Sequence, residues 1–222
     1  MELQNEQTLE WIRSFAAPYR ELMAYYRCAI MEVETKFRVL SEELSLEHDR
    51  NPIESIKTRL KSVDSITQKM RSRGYPLTVE SLEENLNDVA GVRVICGFPS
   101  DIYRLSAAFL SQDDVELVAR KDYLESPKRN GYRSLHLIVR VPIYLHDEKR
   151  MMKVEVQFRT IAMDFWASLE HSLRYKAAGH VPDDICEELH EVGEDIAALD
   201  EKMQSIHDRI DAIVAAECKS VS

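Results

Sequence analysis

Two acidic residues, one just before a predicted strand and one within another, are the side chains best suited to chemistry. Asp88 precedes a buried-type strand, and Glu155 lies in the stretch 153–160, where apolar and polar residues alternate strictly. A strand of this kind has an apolar face and a polar face, and the polar face carries Glu155, Gln157 and Arg159. An ordinary surface strand would show the same alternation. Two acids that converge on one sheet, with basic residues nearby, nevertheless favour a site for a metal ion and a nucleotide.

A polar loop separates the two acids in the sequence. Residues 121–131 are rich in basic side chains and contain Pro127 and Gly131, a composition typical of a ligand-binding loop. Tyr132 and His136 follow directly, at the entry to the next predicted strand. Either one could contact a ligand. Equally, Tyr132 could be a core residue and His136 a surface histidine with its hydrogen bonds satisfied.

A basic segment precedes the first acid. Residues 53–73 are predicted to form one helix, and its basic residues are Lys57, Arg59, Lys61, Lys69, Arg71 and Arg73. The whole chain carries a net charge of −10, so a concentrated basic helix favours an anionic ligand, although a solvated basic face would look the same. On that helix Lys61, Ser65 and Lys69 would lie at i, i+4 and i+8 on one face, a stripe suited to a triphosphate.

The elements that must position these residues predict an α+β (or α/β) domain with a mixed β-sheet. The strands are predicted at 92–96, 115–119, 135–145 and 154–159. The further helices of this domain are predicted at 79–87, 102–111 and 161–178, and Glu170 and His171 on the last of them could face the site.

Long helices flank the predicted sheet on both sides. Residues 7–48 read as a helix that is capped by Thr8 and broken at Pro18. After a break at 179–182, apolar residues from Ile185 to Ile213 recur every three or four positions, which is an unbroken heptad stripe. Such a stripe predicts packing against another long helix. A homo-oligomer is the economical interpretation, and a coiled-coil hairpin within one chain stays open.

Composition excludes several classes of protein. The chain of 222 residues has four cysteines without CxxC spacing, which indicates reduced thiols rather than a disulfide frame or a zinc site. There is no secretory signal pattern and no apolar run near the roughly 18 residues of a membrane span, so we expect a cytoplasmic protein with no membrane partner. A P-loop is absent. The His-Asp pairs at 48–49, 146–147 and 207–208 lack further ligands and are interpreted as surface pairs.

Four motifs occur in a fixed order, and together they are specific. They are Arg59-x-Lys61-x-x-x-Ser65-x-x-x-Lys69, Asp88-x-x-Gly-x-Arg93, Asn130-Gly-Tyr-Arg-Ser-Leu-His136 and Glu155-x-Gln-x-Arg159-Thr. From about residue 20 to 178 the chain resembles the synthetase domain of the RelA/SpoT-homologue family, and its short helical flanks resemble the RelQ-type small alarmone synthetases. The domains are accordingly expected as an N-terminal helical region (1–50), a nucleotidyltransferase-like (p)ppGpp synthetase domain (51–178) and an oligomerising helix (179–222).

The resemblance implies an activity and a cofactor. The family transfers the β,γ-diphosphate of ATP to the ribose 3′-OH of GDP or GTP, which yields ppGpp or pppGpp and AMP. Asp88 and Glu155 would hold Mg²⁺, and Glu155 is also a candidate general base for the 3′-OH. The hydrolase ligand set of the long family members is missing, so synthesis without hydrolysis is expected.

The resemblance also assigns the nucleotide contacts. Arg59 and Arg93 would sandwich adenine, and Tyr132 would stack on guanine. Lys61, Ser65 and Lys69 are expected on the ATP phosphates, and Lys121, Lys128, Asn130 and His136 are candidates for contacts with GDP or GTP. Gln157 and Arg159 would support the site rather than touch substrate.

Related small synthetases form homotetramers that respond to an alarmone effector or to single-stranded RNA, and the heptad stripes fit an oligomer. Two other functions stay open at this point. One is a catalytically silent relative that binds nucleotide or RNA, and the other is a transferase with a different acceptor, such as tRNA.

Overall fold

The computed structural model describes residues 2–47, 50–176 and 182–220, and they form six helices and five strands. The helices are α1 (Glu2–Glu47), α2 (Val63–Ser72), α3 (Val79–Asn85), α4 (Pro99–Leu110), α5 (Ile161–Lys176) and α6 (Asp183–Ser220). The strands are β1 (Ile53–Leu60), β2 (Ala90–Cys96), β3 (Glu116–Asp122), β4 (Leu135–Tyr144) and β5 (Lys149–Thr160).

The five strands form one mixed sheet in the order β1-β2-β5-β4-β3. Strands β2 and β5 are parallel, and α4, β3 and β4 supply the long connection that a parallel pair needs; the other neighbours are antiparallel. This confirms the predicted α+β class. Strand β5 lies at the centre of the sheet, so the side chains on its polar face have neighbours on both sides.

The hydrophobic core lies on one face of the sheet, under α1 and α4. Phe158 of β5 is fully buried there, with the ring of Phe37 from α1 at 5.6 Å between centroids. Phe37 also stacks on Phe109 of α4 at 4.6 Å. The alternation predicted for β5 is therefore correct: Val154, Val156 and Phe158 face the core, and the polar residues between them face the other side.

The single helix predicted over 53–73 is wrong. The first part is strand β1, which pairs antiparallel with β2 along its whole length, and helix α2 begins only at Val63. Ser62 caps α2, and its side-chain oxygen accepts a hydrogen bond from the backbone N–H of Ser65. The apolar spacing fits a helix, but pairing with β2 satisfies the backbone of 53–60 and outweighs that local preference. Lys61 consequently lies before α2 and not on a shared helical face with Ser65 and Lys69.

The break predicted at Pro18 is also wrong, because α1 runs through this residue. Proline removes one backbone hydrogen bond, and the following turns are secured by burial of Leu22, Tyr26 and Val33 against the sheet. The predicted cap Thr8 lies outside the residues whose side chains are described. Most of the predicted break at 179–182 likewise lies outside the described residues.

The heptad stripe of α6 is exposed. Leu199, Met203, Ile206 and Ile210 expose between 41% and 54% of their surface, and α6 contacts α5 and α4 while α1 packs on the sheet. Within the described part of the chain, the stripe therefore has no long helix to cover it.

No helix among the described residues is both long enough and apolar enough to cross a membrane.

Candidate active site

Strand register brings the predicted site residues onto the face of the sheet opposite the core. Paired residues on neighbouring strands point to the same face, so each row across the sheet is one line of side chains. One row runs across all five strands through Lys57, Arg93, Gln157, His136 and Lys121. The next row contains Arg59, Gly91 and Glu155. Gly91 has no side chain, which leaves space between the arginine and the carboxylate.

Two clefts open on this face, and they meet at Glu155 and Gln157. The first, of about 420 Å³, has four cationic side chains and two carboxylates in its wall: Lys57, Arg59, Lys61, Arg93, Asp88 and Glu155. The second, of about 600 Å³, includes Lys128, Asn130, Tyr132, His136, Glu170, Asp183 and Cys186. Glu155 thus forms part of the wall of both clefts.

Asp88 is held by two lysines. The ammonium groups of Lys61 and Lys69 each lie 2.6 Å from its Oδ2 atom. Burial raises the pKa of Asp88, but the bonds and charges of the two lysines outweigh burial, so the pKa stays below its ordinary value. The carboxylate is therefore ionised near neutral pH. Its other oxygen, Oδ1, is buried without a hydrogen-bond partner.

Glu155 is also held in the ionised form. His136 Nδ1 lies 3.3 Å from its Oε1 atom, and the amide of Gln157 donates to Oε2 at 2.8 Å. Burial raises the pKa of Glu155, but His136 and Gln157 outweigh burial and hold the pKa below its ordinary value. A carboxylate of low pKa is a good cation ligand and a weak general base.

The two carboxylates fit a magnesium ion better than an all-protein metal cage. No cluster of three or more His, Cys, Asp or Glu side chains with metal-binding geometry occurs among the described residues. Mg²⁺ is commonly held by one or two carboxylates together with substrate phosphates and water. The unpartnered Oδ1 of Asp88 is a buried acceptor of the kind that such an ion requires.

Asp164, which the sequence analysis missed, joins the two halves of the site. Its Oδ1 accepts hydrogen bonds at 3.0 Å from both Arg93 and Arg159, and its Oδ2 accepts one at 2.7 Å from Lys57. Burial raises the pKa of Asp164, but the three cations outweigh burial and hold the pKa below its ordinary value. The only sequence signal was an acid in the first turn of the helix that follows β5.

A chain of hydrogen bonds runs from Arg159 to Glu155. Arg159 Nη2 donates to the Tyr132 hydroxyl at 2.9 Å, and that hydroxyl lies 2.8 Å from His136 Nε2. His136 therefore links the two residues, with Nε2 toward the Tyr132 hydroxyl and Nδ1 toward Glu155. Arg159 thus supports the site, as predicted.

Tyr132 is partly exposed and is not a core residue. The ammonium group of Lys128 lies 4.5 Å from the centre of its ring and 4.7 Å from that of Tyr123. A base that stacks on the face of Tyr132 under Lys128 requires the ammonium group to move. Asn130 donates to Glu170 at 3.0 Å, which places Glu170 beside the second cleft as predicted, whereas His171 is exposed.

Three predicted site residues lie outside the walls of both clefts. Lys69 bonds to Asp88, which is in the wall of the first cleft, but Lys69 itself is not in that wall. The Ser65 hydroxyl is bonded to the Ser62 hydroxyl at the start of α2, and Lys121 is exposed on β3 next to His136.

Known proteins resemble this chain in sequence and in fold. The region found in RelA / SpoT proteins matches residues 58–180. The chain belongs to the RelA/SpoT family. It is 42% identical to GTP pyrophosphokinase YwaC of Bacillus subtilis over 200 residues, which are 90% of this chain and 95% of that protein.

Solved structures of small alarmone synthetases share the fold. The TM-score is 0.79 with small alarmone synthetase 2 from Bacillus subtilis, at 42% identity over 86% of this chain and 98% of that one. It is 0.80 with small alarmone synthetase 1 from the same organism bound to its product pppGpp, at 34% identity over 86% and 97%. The resemblance inferred from the four motifs is therefore confirmed.

Proposed function

We propose that this enzyme transfers the β,γ-diphosphate of ATP to the 3′-OH of GDP or GTP, which yields ppGpp or pppGpp and AMP. The observation that carries the proposal is that Glu155 borders both clefts. A transfer between two bound nucleotides requires the donor and acceptor sites to meet at one point, and the ionised carboxylate lies at that point. The relatives named GTP pyrophosphokinase and the relative bound to pppGpp support the same reaction.

ATP is assigned to the first cleft. Lys57, Arg59, Lys61 and Arg93 give it the positive charge that a triphosphate needs, although the whole chain is acidic. A planar guanidinium also stacks on a base, so Arg59 and Arg93 are assigned to adenine. Lys61 and Lys69 are assigned to the phosphates, which requires them to share their positive charge with Asp88.

GDP or GTP is assigned to the second cleft. Tyr132 supplies an aromatic face for guanine, and stacking of a base on an aromatic ring is worth about 1 to 3 kcal/mol. Lys128, Asn130 and His136 are polar residues that share the wall of the second cleft with that ring. Lys121 and Ser65 keep their assigned roles only if bound nucleotides reach beyond the cleft walls.

Magnesium is the proposed cofactor, and Asp88 and Glu155 are the residues that would hold it. When bound, it would neutralise phosphate charge near the transferred group. The lysines and arginines of the first cleft contribute to the same charge neutralisation. The chain of bonds from Arg159 through Tyr132 and His136 fixes the carboxylate of Glu155 in place.

A homo-oligomer is also part of the proposal, and a tetramer is the form that the resemblance suggests. Exposed apolar side chains line α5 as well as α6: Ile161, Phe165, Leu169 and Leu173 each expose half or more of their surface. A second copy of the chain would bury both stripes. Control by an alarmone or by single-stranded RNA stays a prediction from the resemblance.

We also place the protein in the cytoplasm. Cys28 and Cys96 are free thiols, which suits a reducing compartment.

The reaction is tested with γ-labelled ATP, Mg²⁺ and either GDP or GTP, with separation of the products by thin-layer chromatography. Label should appear in ppGpp or pppGpp and be lost in Glu155→Gln, while Glu54→Gln, an exposed control on β1, keeps full activity. Incubation with ppGpp alone should release no pyrophosphate. Label that goes only to tRNA, or none with nucleotide still bound, would overturn the proposal.

A further inference from the structure

Two glycines bring the loop before Tyr132 into backbone contact with helix α6. Gly131 lies in the loop, and Gly193 lies in α6. A Cβ atom added to Gly193 would lie 2.8 Å from the carbonyl oxygen of Gly131 and 2.9 Å from its Cα. Both contacts are with backbone atoms, so no side-chain rotation could relieve them. Glycine is the only residue that fits at 193 without displacing either the loop or the helix.

The contact is also tight from the other side. A Cβ atom on Gly131 would lie 3.0 Å from the Cα of His190 and 3.1 Å from the carbonyl oxygens of His190 and Leu189. Gly131 also has a φ of +83°, a conformation that residues other than glycine rarely adopt. Its N–H donates to the carbonyl of Lys128 at 2.8 Å, which closes the turn 128–131.

Helix α6 is the better anchored of the two partners. Thr160, at the end of β5, donates to Asp200 of α6 at 2.6 Å in a buried hydrogen bond. The indole N–H of Trp166 donates to the carbonyl of Leu189 at 3.1 Å. Arg133 donates to Glu194 at 2.8 Å. Lys128 and Arg129 of the turn 128–131 are exposed and Gly131 alone in the turn is buried, so an added methyl group should displace the turn and not the helix.

We propose that Gly193 is a positioning residue for the acceptor nucleotide. By having no side chain, it lets α6 set the position of the turn that carries Lys128 and Asn130 and leads into Tyr132. All three residues are in the wall of the second cleft. The inference rests on the proposed function in assigning GDP or GTP to that cleft. The walls of the first cleft come from residues 57–93 and from β5, without α6, so ATP binding should not depend on Gly193.

The test is Gly193→Ala, with steady-state kinetics for each substrate and calorimetric titration of GDP in the absence of ATP. The 2.8 Å contact must lengthen by about half an ångström to become an ordinary one. Because a 1 Å misplacement can cost roughly a hundredfold in rate, kcat/KM for the acceptor should fall about tenfold, through a higher acceptor KM. The GDP Kd should rise in parallel, and the KM for ATP should not change. Alanine is the better helix former, so a purely structural role would alter the Tm and leave the acceptor KM unchanged.

Ala198→Gly is the matched control, because it exchanges the same two residue types at an exposed position of the same helix. It should lower the Tm and leave both KM values unchanged. If Gly193→Ala does not fold, Glu194→Ala is the second variant. It removes the bond to Arg133 without crowding the turn, and the acceptor KM should rise about two- to threefold.

The outcomes separate this inference from the proposed function. Wild-type protein that transfers diphosphate to GDP, with an acceptor KM unchanged in Gly193→Ala and in Glu194→Ala, would overturn the role of Gly193 alone. Wild-type protein that binds and modifies neither GDP nor GTP would overturn the proposed function, and the positioning role with it. A rise in the KM for ATP equal to that for the acceptor would also refute the positioning role.

Discussion

Asp164→Asn should damage both halves of the site, because one carboxylate holds three cations. Arg159 is the partner that depends on it most, since only 6% of its side chain is exposed and it cannot regain water. Arg93 is 31% exposed and Lys57 is 56% exposed, so both are partly resolvated when the charge is removed. Asparagine keeps the shape of the side chain and one acceptor oxygen.

The magnitude follows from these exposures. A hydrogen bond to a charged group contributes about 1.5 to 3 kcal/mol, which applies in full to Arg159 and in part to Arg93. Lys57 is exposed enough that its pair is worth about 0 to 1 kcal/mol. The free energy of unfolding should therefore fall by about 2 to 4 kcal/mol, with allowance for the acceptor that asparagine retains. For a chain of this size the Tm should fall by about 5 to 12 °C.

The KM values distinguish a residue that supports both clefts from one that only stabilises the fold. Arg93 is assigned to ATP, and Arg159 holds Tyr132 on the acceptor side, so the KM for ATP and the KM for GDP should both rise. Asp114→Asn is the matched control, because Asp114 accepts two bonds from Lys36 away from both clefts. It should lower the Tm and change neither KM. Unchanged KM values in Asp164→Asn, or equal changes in Asp114→Asn, would refute the reasoning.

The pH dependence gives a second check on the same residue. The pKa of Asp164 is lowered in the folded protein, so its contribution to stability is complete above the ordinary value of 3.8 and is lost as the pH falls through the lower folded pKa. The stability difference between wild type and Asp164→Asn should therefore be full at neutral pH and shrink only below about pH 4. A difference that disappeared between pH 6 and 8 would point to another group.

Two further predictions concern the acceptor side and the oligomer. Tyr132→Ala should raise the KM for GDP by about 5- to 100-fold through lost stacking, with a smaller change for ATP, and equal changes in the two KM values would contradict the stacking role. Leu199→Asp with Ile206→Asp should lower the mass measured by light scattering, whereas Lys202→Asp on the same helix should not. An unchanged mass in the double variant would mean that this stripe of α6 is not the contact between subunits.

Short-range pattern predicted the central strand and its polar face correctly. The two-residue alternation of β5 is a local property of the chain, so Glu155, Gln157 and Arg159 could be placed on one face without a structure. The same holds for the long helix α6, whose heptad stripe recurs every three or four residues. The order of the four motifs identified the family, because residue types and their spacing can be read without a structure.

Long-range pairing decided what local pattern could not. Residues 53–60 fit a helix as well as a strand, and only the hydrogen bonds with β2 made them a strand. The position of Asp164 in the first turn of a helix did not reveal its role, because its three partners come from β1, β2 and β5 and meet only in the folded sheet. The contact of Gly131 with Gly193 joins residues 62 positions apart in sequence.

The sequence by itself therefore determined the residue types of the site, the family and the elements whose periodicity is local. The tertiary structure alone decided that two clefts share Glu155, that Asp164 links them, and that α6 supports the loop before Tyr132. The physical reason is that periodicity records which face of an element is apolar. The distance between residues on different elements depends on strand order and register, which no single segment encodes.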